Sequence, residues 1–370
     1  HVMVIGIGHV GSWAVELLMR TPGLEKITTA DVNDHYASRR TKAAMYGASH
    51  LGYHPEVDFR KIDLFNVEET AEVIREVNPK VILSTASAVT PYPDTVASQE
   101  IAEMLEDAGS GAFIPAQLLL ISKVVQAVDQ SGINPYVINA SFGDGVHAVL
   151  KGAGSKVPEL GIGNLDNLVP IIKMQVANKL NIKLRDVLVY LVSHHFNNVW
   201  CSRLRPGGMG PYWMKIVVDG EDVTNQFDTD ELMLGTSKNK NRLGGNDGGS
   251  LTASSAVKHT LAFLHETELF THSPGPKANI GGYPVRIKNN QVEIELPDEI
   301  MLDEATKINE QGQHRDGIEE IKDDGTVVFT DEAVGLLKEA IGFECKVMKF
   351  DDHEELAKEQ LAKMKAKSKR

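Results

Sequence analysis

Cysteine is almost missing from this chain of 370 residues: only Cys201 and Cys345 occur, and they form no short-spaced pair. That excludes a disulfide framework and a thiolate zinc cluster. No apolar run reaches the ~18 residues needed to cross a bilayer, so no membrane span is expected. Residues 1–20 carry a strand-and-helix pattern rather than the plan of a secretory signal, which makes the cytoplasm the expected location. Positive charge is also in deficit. A formal net charge of -13 disfavours binding to a nucleic-acid backbone. The basic ending "AKMKAKSKR" follows the acidic "DDHEEL" and reads as a charged C-terminal helix or tail over 351–370.

What is present is the composition of a folded protein, with 42% hydrophobic and 24% charged residues, in a chain long enough for two domains. Across the first ~150 residues, apolar runs at 2–5, 27–31, 59–62, 81–85 and 136–139 alternate with helical spacing at 10–20, 67–77 and 118–128. Repeated strand–helix units predict an α/β fold with a doubly wound parallel sheet in a first domain over 1–150. Helix over 164–180 and strand over 186–195 then open a second domain, expected to be α+β and to span 151–350. The polar, Gly-rich "GTSKNKNRLGGNDGG" reads as a mobile loop or lid. Helix is expected again over 256–270 and 331–341, and a hairpin over 285–296 across "KNNQ".

In "VMVIGIGHVGSWAVELLMR", Gly6, Gly8 and Gly11 follow an apolar strand and open an amphipathic helix, with His9 and Val10 between the last two. The pattern predicts a dinucleotide turn: Gly6 for the bend, Gly8 for backbone approach to a pyrophosphate, Gly11 for helix–strand packing. A second strand, "KITTAD", ends at Asp31, where a carboxylate accepts hydrogen bonds from an adenosine ribose and repels a 2′-phosphate; NAD is the expected cofactor. Ligands of such sheets bind outside the carboxyl ends of the strands. That rule selects Thr85 and Ala86 in "STASAVTPYPD", and Asn139 and Ser141 in "NASFGDG", for cofactor and substrate.

The stretch "LVSHHFNNVW" puts His194 and His195 at the end of an apolar strand. Taken by residue type, the pair could be catalytic, metal-binding or structural. On a continuous strand the two would face opposite ways, leaving His195 as the acid–base candidate and His194 behind it. Asn164, Asn197 and Ser254 are candidates for substrate contact; asparagines and serines at such positions also serve as turns and caps.

The order of features over "GIGNLDNLVPIIKMQVANKLNIKLRDVLVYLVSHHFNNVW" resembles the lactate and malate dehydrogenases: a Leu-Asp dipeptide opening a helix, a turn, and a strand ending in the catalytic histidine. The resemblance implies His195 as the proton-exchanging histidine, Asp166 as the aspartate that orients it, and a dimer or tetramer. It also exposes two departures. The loop after the fourth strand, "AVTPYPDTVASQE", has no arginine to polarise a carbonyl, and the position that grips a substrate carboxylate is Val169. A simple 2-hydroxy acid is therefore not the expected substrate. The same segment is similar to family 4 glycosidases, whose metal-binding cysteine would fall near Gly163, where this chain has no thiol; no metal is expected.

The leading expectation is an NAD-dependent oxidoreductase acting on a hydroxyl or carbonyl group of a small polar molecule. Three alternatives stand beside it. One is an amino-acid or opine dehydrogenase like the saccharopine group, which "KIDLFNVEETAEVIREVNPKVILSTA" resembles. The others are a family-4-like glycosidase using NAD transiently and an NAD(H)-binding sensor without turnover.

Overall fold

The computed structural model describes residues 1–89, 97–203, 207–237, 240–243 and 248–367. Strands β1 (Val2–Ile5), β2 (Lys26–Asp31), β3 (Glu56–Lys61), β4 (Val81–Ser84), β5 (Tyr136–Asn139) and β6 (Leu160–Gly161) form one parallel sheet in the order β3-β2-β1-β4-β5-β6. Every residue of β1 and β4 is buried. Their unbroken apolar runs suit strands covered on both faces by helices. The strand order reverses between β1 and β4, which leaves a crevice at their carboxyl ends.

Helices α1 (His9–Leu18), α2 (Asp34–His50), α3 (Val67–Val77), α4 (Gln99–Asp107), α5 (Ile114–Ser131) and α6 (Gly143–Gly152) connect these strands. Asn33, Asn66 and Ser98 cap α2, α3 and α4 by accepting a backbone N–H of the first turn. Residues Ser110–Ser131, which contain α5, are long and apolar enough to cross a membrane. They are instead mostly buried, as the central packing helix of the domain.

The second layer is an antiparallel sheet of β7 (Val187–Ser193), β8 (Tyr212–Val218), β9 (Glu221–Asp222), β10 (Leu269–Pro274), β11 (Gly282–Lys288) and β12 (Gln291–Ile294). It is accompanied by α7 (Leu165–Leu180), α8 (His195–Arg203), α9 (Thr229–Gly235), α10 (Gly249–His265) and α11 (Leu302–Arg315). The expected hairpin turns on Asn289 and Asn290, both at positive φ, the backbone that a tight two-residue turn needs. A three-stranded sheet of β13 (Ile318–Ile321), β14 (Val327–Phe329) and β15 (Val347–Met348) follows, with α12 (Asp331–Ile341) and α13 (His353–Ala366).

Three expectations need correction. The first sheet does not stop at residue 150, because β6 pairs with β5 through Ile138 and Leu160. The C-terminal part returns to the first domain: Ile318, Val327, Phe329 and Met348 share a core with Ile114 and Leu118. The segment 351–370 does hold the expected C-terminal helix, α13, and it is docked on the first domain. Lys123 pairs with Glu354, Ser122 Oγ lies 3.1 Å from His353 Nε2, and Gln360 donates to the Ala112 carbonyl at 2.9 Å. Last, β7 ends at Ser193 and His195 opens a helix, so the two histidines do not alternate on one strand. The lid sequence includes residues 238–239 and 244–247, and the loop after β4 includes 90–96; these lie outside the described residues.

The glycine turn is enforced by close packing. Gly6 has φ +92°, and a Cβ there would lie 2.5 Å from the Ala86 amide nitrogen; one on Gly11 would lie 2.0 Å from the Gly6 carbonyl oxygen. Both contacts are with backbone that cannot rotate away. Gly11→Ala should therefore destabilise the fold by at least about 1–3 kcal/mol, the usual cost of overpacking. Chemical denaturation of the two proteins checks this.

Candidate active site

The crevice at the carboxyl ends of β1, β4 and β5 is a cavity of about 950 Å3. Gly6, Gly8, His9, Val10, Asp31, Thr85 and Ala86 all line it. Helix α1 starts against this wall with Gly8 as its cap residue and no side-chain cap, so its first N–H groups have no side chain to satisfy them. A Cβ on Gly8 would meet no heavy atom within 4 Å. Room and positive partial charge thus coincide where a pyrophosphate would approach. Asp31 is fixed by two backbone donors, Ile7 N to Oδ2 at 2.6 Å and Asn33 N to Oδ1 at 2.8 Å, and it faces the cavity beside Val32. These residues fit the phosphates and ribose of a dinucleotide.

Two residues expected at the cofactor do not line the cavity. Gly11 stands back from it in the packing role expected of it within the turn, whereas Asn139 is only 1% exposed, with its side chain closed on its own loop. Its Oδ1 accepts the Ser141 N–H at 2.8 Å, and its Nδ2 bonds the Ser141 carbonyl and His147 Nε2. Ser141 lines the cavity, but its hydroxyl donates to the Gln117 carbonyl at 2.7 Å. It is not available as a donor to substrate.

At the other end of the cavity stands His195. Its Nδ1 lies 3.0 Å from Oδ2 of Asp316, a carboxylate with no exposure to solvent. Asp316 Oδ1 accepts the Ser110 N–H at 2.8 Å. Burial alone would raise the Asp316 pKa; the hydrogen bond and charge of His195, the charge of His194 and the Ser110 N–H outweigh it, and the net shift is downward. An ionised carboxylate only accepts, so Nδ1 of His195 carries the hydrogen and Nε2 is its basic nitrogen. The expected His195–Asp166 pair is therefore corrected to His195–Asp316.

Asp144, at the head of α6, organises the same end. Its Oδ1 accepts the His195 backbone N–H at 3.0 Å, and its Oδ2 accepts from the Asn164 side chain. It thereby ties the start of α8 to the start of α7. Asn164 (φ 56°) and Phe142 (φ 36°) both hold backbone that side-chain-bearing residues rarely adopt, and both line the cavity. The Phe142 ring meets the His195 ring edge-on, 5.2 Å between centroids.

Four further candidates also leave the site. His194 is 1% exposed and outside the cavity lining, its Nδ1 accepting the Phe196 N–H at 3.2 Å. Burial, the largest influence, lowers its pKa against the opposing pull of Asp144 and Asp316. Asn197 is spent on structure, donating to Ser193 Oγ and the Gly210 and Pro211 carbonyls while accepting the Gly210 N–H. Ser254 lies on the exposed face of α10 and donates to the Ser250 carbonyl. Asp166 is buried at the α7–α10–β10 junction, where it meets Lys258 at 2.8 Å, Thr271 at 3.3 Å and His259 at 3.9 Å, with Ser255 hydrogen-bonded to it as well. Among the described residues, no group of three or more His, Cys, Asp or Glu is arranged to hold a metal.

No family model and no curated protein matches the chain. Solved structures do. Malate dehydrogenase from Aeropyrum pernix aligns with a TM-score of 0.58 at 15% identity, covering 85% of this chain and 95% of that one. Malate dehydrogenase from Picrophilus torridus gives 0.56 at 18% identity, over 85% and 95%. Lactate dehydrogenase from Eimeria maxima, solved with NADH and oxamate, gives 0.56 at 14%, over 83% and 90%. This chain has the lactate and malate dehydrogenase fold. Within that fold, Val169 is a buried core residue and offers no grip on a substrate carboxylate.

Asp166 has a measurable consequence for stability. Burial opposes its ionisation, but Lys258 and His259 hold its pKa down at about 2, against an ordinary 3.8. A lowered folded-state pKa gives stability that is present above the unfolded pKa and lost as pH falls through the folded one. The Asp166 contribution, about 2–3 kcal/mol by linkage, is thus full at neutral pH and fades below about pH 4. Stability curves of wild type and Asp166→Asn should differ at neutral pH and converge in acid. A gap that is constant with pH would contradict this assignment.

Proposed function

We propose that this protein is an NAD-dependent oxidoreductase that interconverts a hydroxyl and a carbonyl group on a small-molecule substrate. The single observation that carries the reading is that one cavity is lined both by the Gly6–Val10 turn with Asp31 and by His195 with its buried partner Asp316. The shared fold with malate and lactate dehydrogenases supports it.

Gly8 and the α1 N-terminus would hold the pyrophosphate, and Asp31 the adenosine ribose. Thr85 and Ala86, at the end of β4, would border the nicotinamide. When bound, NAD supplies the hydride acceptor. The chain's own part is the proton. His195 takes it from the substrate hydroxyl at Nε2, the nitrogen that the Nδ1–Asp316 bond leaves basic. Asp316 stabilises the imidazolium so formed and keeps the ring in one tautomer. Phe142 restrains the ring from its side. We further infer a homo-oligomer, which the exposed Trp13, Tyr36, Tyr46 and Met174 on helices of the outer surface support.

Two variants test the two halves of the cavity. Gly8→Ala adds a methyl group where only a phosphate would be met. It should leave thermal stability unchanged and weaken NADH binding tenfold or more, as read by fluorescence titration. His195→Asn should keep NADH affinity and lower kcat about a hundredfold or more on any alcohol that the wild type oxidises. Equal turnover in that variant would remove His195 from the chemistry.

A further inference from the structure

Next to His195 the cavity has an apolar wall, and the fold explains its position. Helix α13 runs antiparallel to α5, with Glu354 against Lys123 and Gln360 against Ala112. Leu361 and Met364 therefore lie beside residues 109–113, where Ser110 N holds the carboxylate that holds His195. Val89, Leu105 and Phe113 complete this wall, and four of the five side chains pack in one cluster.

At its edge is Arg203, the one lysine or arginine among the described residues that line the cavity. Arg203 and His195 belong to the same helix, eight residues apart. That spacing separates them by roughly 12 Å along the axis and only about 80° around it. Arg203 is paired with Glu106 of α4 at 3.3 Å; Arg203 lines the cavity and Glu106 does not. The family position that would grip a carboxylate beside the reacting carbon is meanwhile a core valine. Among the described residues, the cation that lines the cavity is thus Arg203 rather than a residue at that position.

We propose that the substrate is amphipathic: a hydroxyl or carbonyl at His195, an apolar segment against Leu105, Phe113, Leu361 and Met364, and a terminal carboxylate on Arg203. This rests on the oxidoreductase reading and adds the substrate class to it. A chain of several carbons fits the span; glycolate or lactate does not.

The test is equilibrium binding of straight-chain carboxylates, acetate through decanoate, to the protein–NADH complex, with primary alcohols of matching length as neutral controls. In the wild type, affinity should rise with carboxylate length and exceed that of the matching alcohol. In Arg203→Gln the acid-over-alcohol ratio should fall about ten- to a hundredfold, the effect of losing a charge-assisted hydrogen bond. Arg203→Lys should keep part of it. Glu106→Gln, which removes the competing carboxylate, should raise acid affinity, a gain that mere structural damage would not produce. Carboxylates binding no better than alcohols, or an unchanged ratio in Arg203→Gln, would overturn the proposal while leaving the oxidoreductase reading in place. Failure of NADH itself to bind would remove that reading and the substrate class with it.

Discussion

The site depends on one buried carboxylate. Asp316 is fully buried, and the Ser110 N–H and His195 Nδ1 that meet its two oxygens help hold its pKa down against burial. The carboxylate and its two partners come from three distant parts of the chain: the end of α11, the turn before α5 and the start of α8. Satisfying the charge therefore fixes the second sheet and the C-terminal segment against the first domain. The Ala108–Gly111 turn is pressed onto the same residue, since a Cβ on Gly109 would lie 2.3 Å from the Asp316 carbonyl oxygen. A partner that leaves this charge uncompensated would destabilise the fold and the histidine together.

Asp144 repeats the arrangement on a smaller scale. Its two oxygens join the heads of α7 and α8 to α6, so the segments that frame the cavity start from a common anchor. The strained backbone of Phe142 and Asn164 is tolerated beside that anchor, where the Phe142 ring meets the His195 ring and the Asn164 amide donates to Asp144. The C-terminal helix then closes the apolar side. Segments with no place in the nucleotide-binding sheet thus complete the half of the cavity where substrate would lie.

The nucleotide half of the fold was legible in the sequence because its signals are local. Buried parallel strands are continuous apolar runs, the glycine turn is dictated by backbone contacts within a few residues, and Asn and Ser caps mark helix starts. The site around His195 was only partly legible. His195 sits on the cavity as its place at the end of an apolar run suggested, but the run gave no sign that the strand stops at Ser193 and a helix begins. Asp316 lies 121 residues from His195, in "QHRDG", where nothing local distinguishes it from a helix-end aspartate. Asp166 stood in the expected motif and proved to face Lys258 and His259, since α10 supplies a cation that neutralises it first. Asn139, Asn197 and Ser254 were read from their polarity. Their hydrogen bonds turn inward or along their own helix, which only the fold reveals.

The central claim is that one cavity brings a dinucleotide to His195. A crystal structure of the NADH complex tests it most directly. The account predicts the pyrophosphate at Gly8 and the α1 N-terminus, the adenosine ribose on Asp31, and the nicotinamide between Thr85–Ala86 and the His195 ring. A nicotinamide out of reach of His195, or a nucleotide bound anywhere other than the Gly6–Val10 turn, would contradict it.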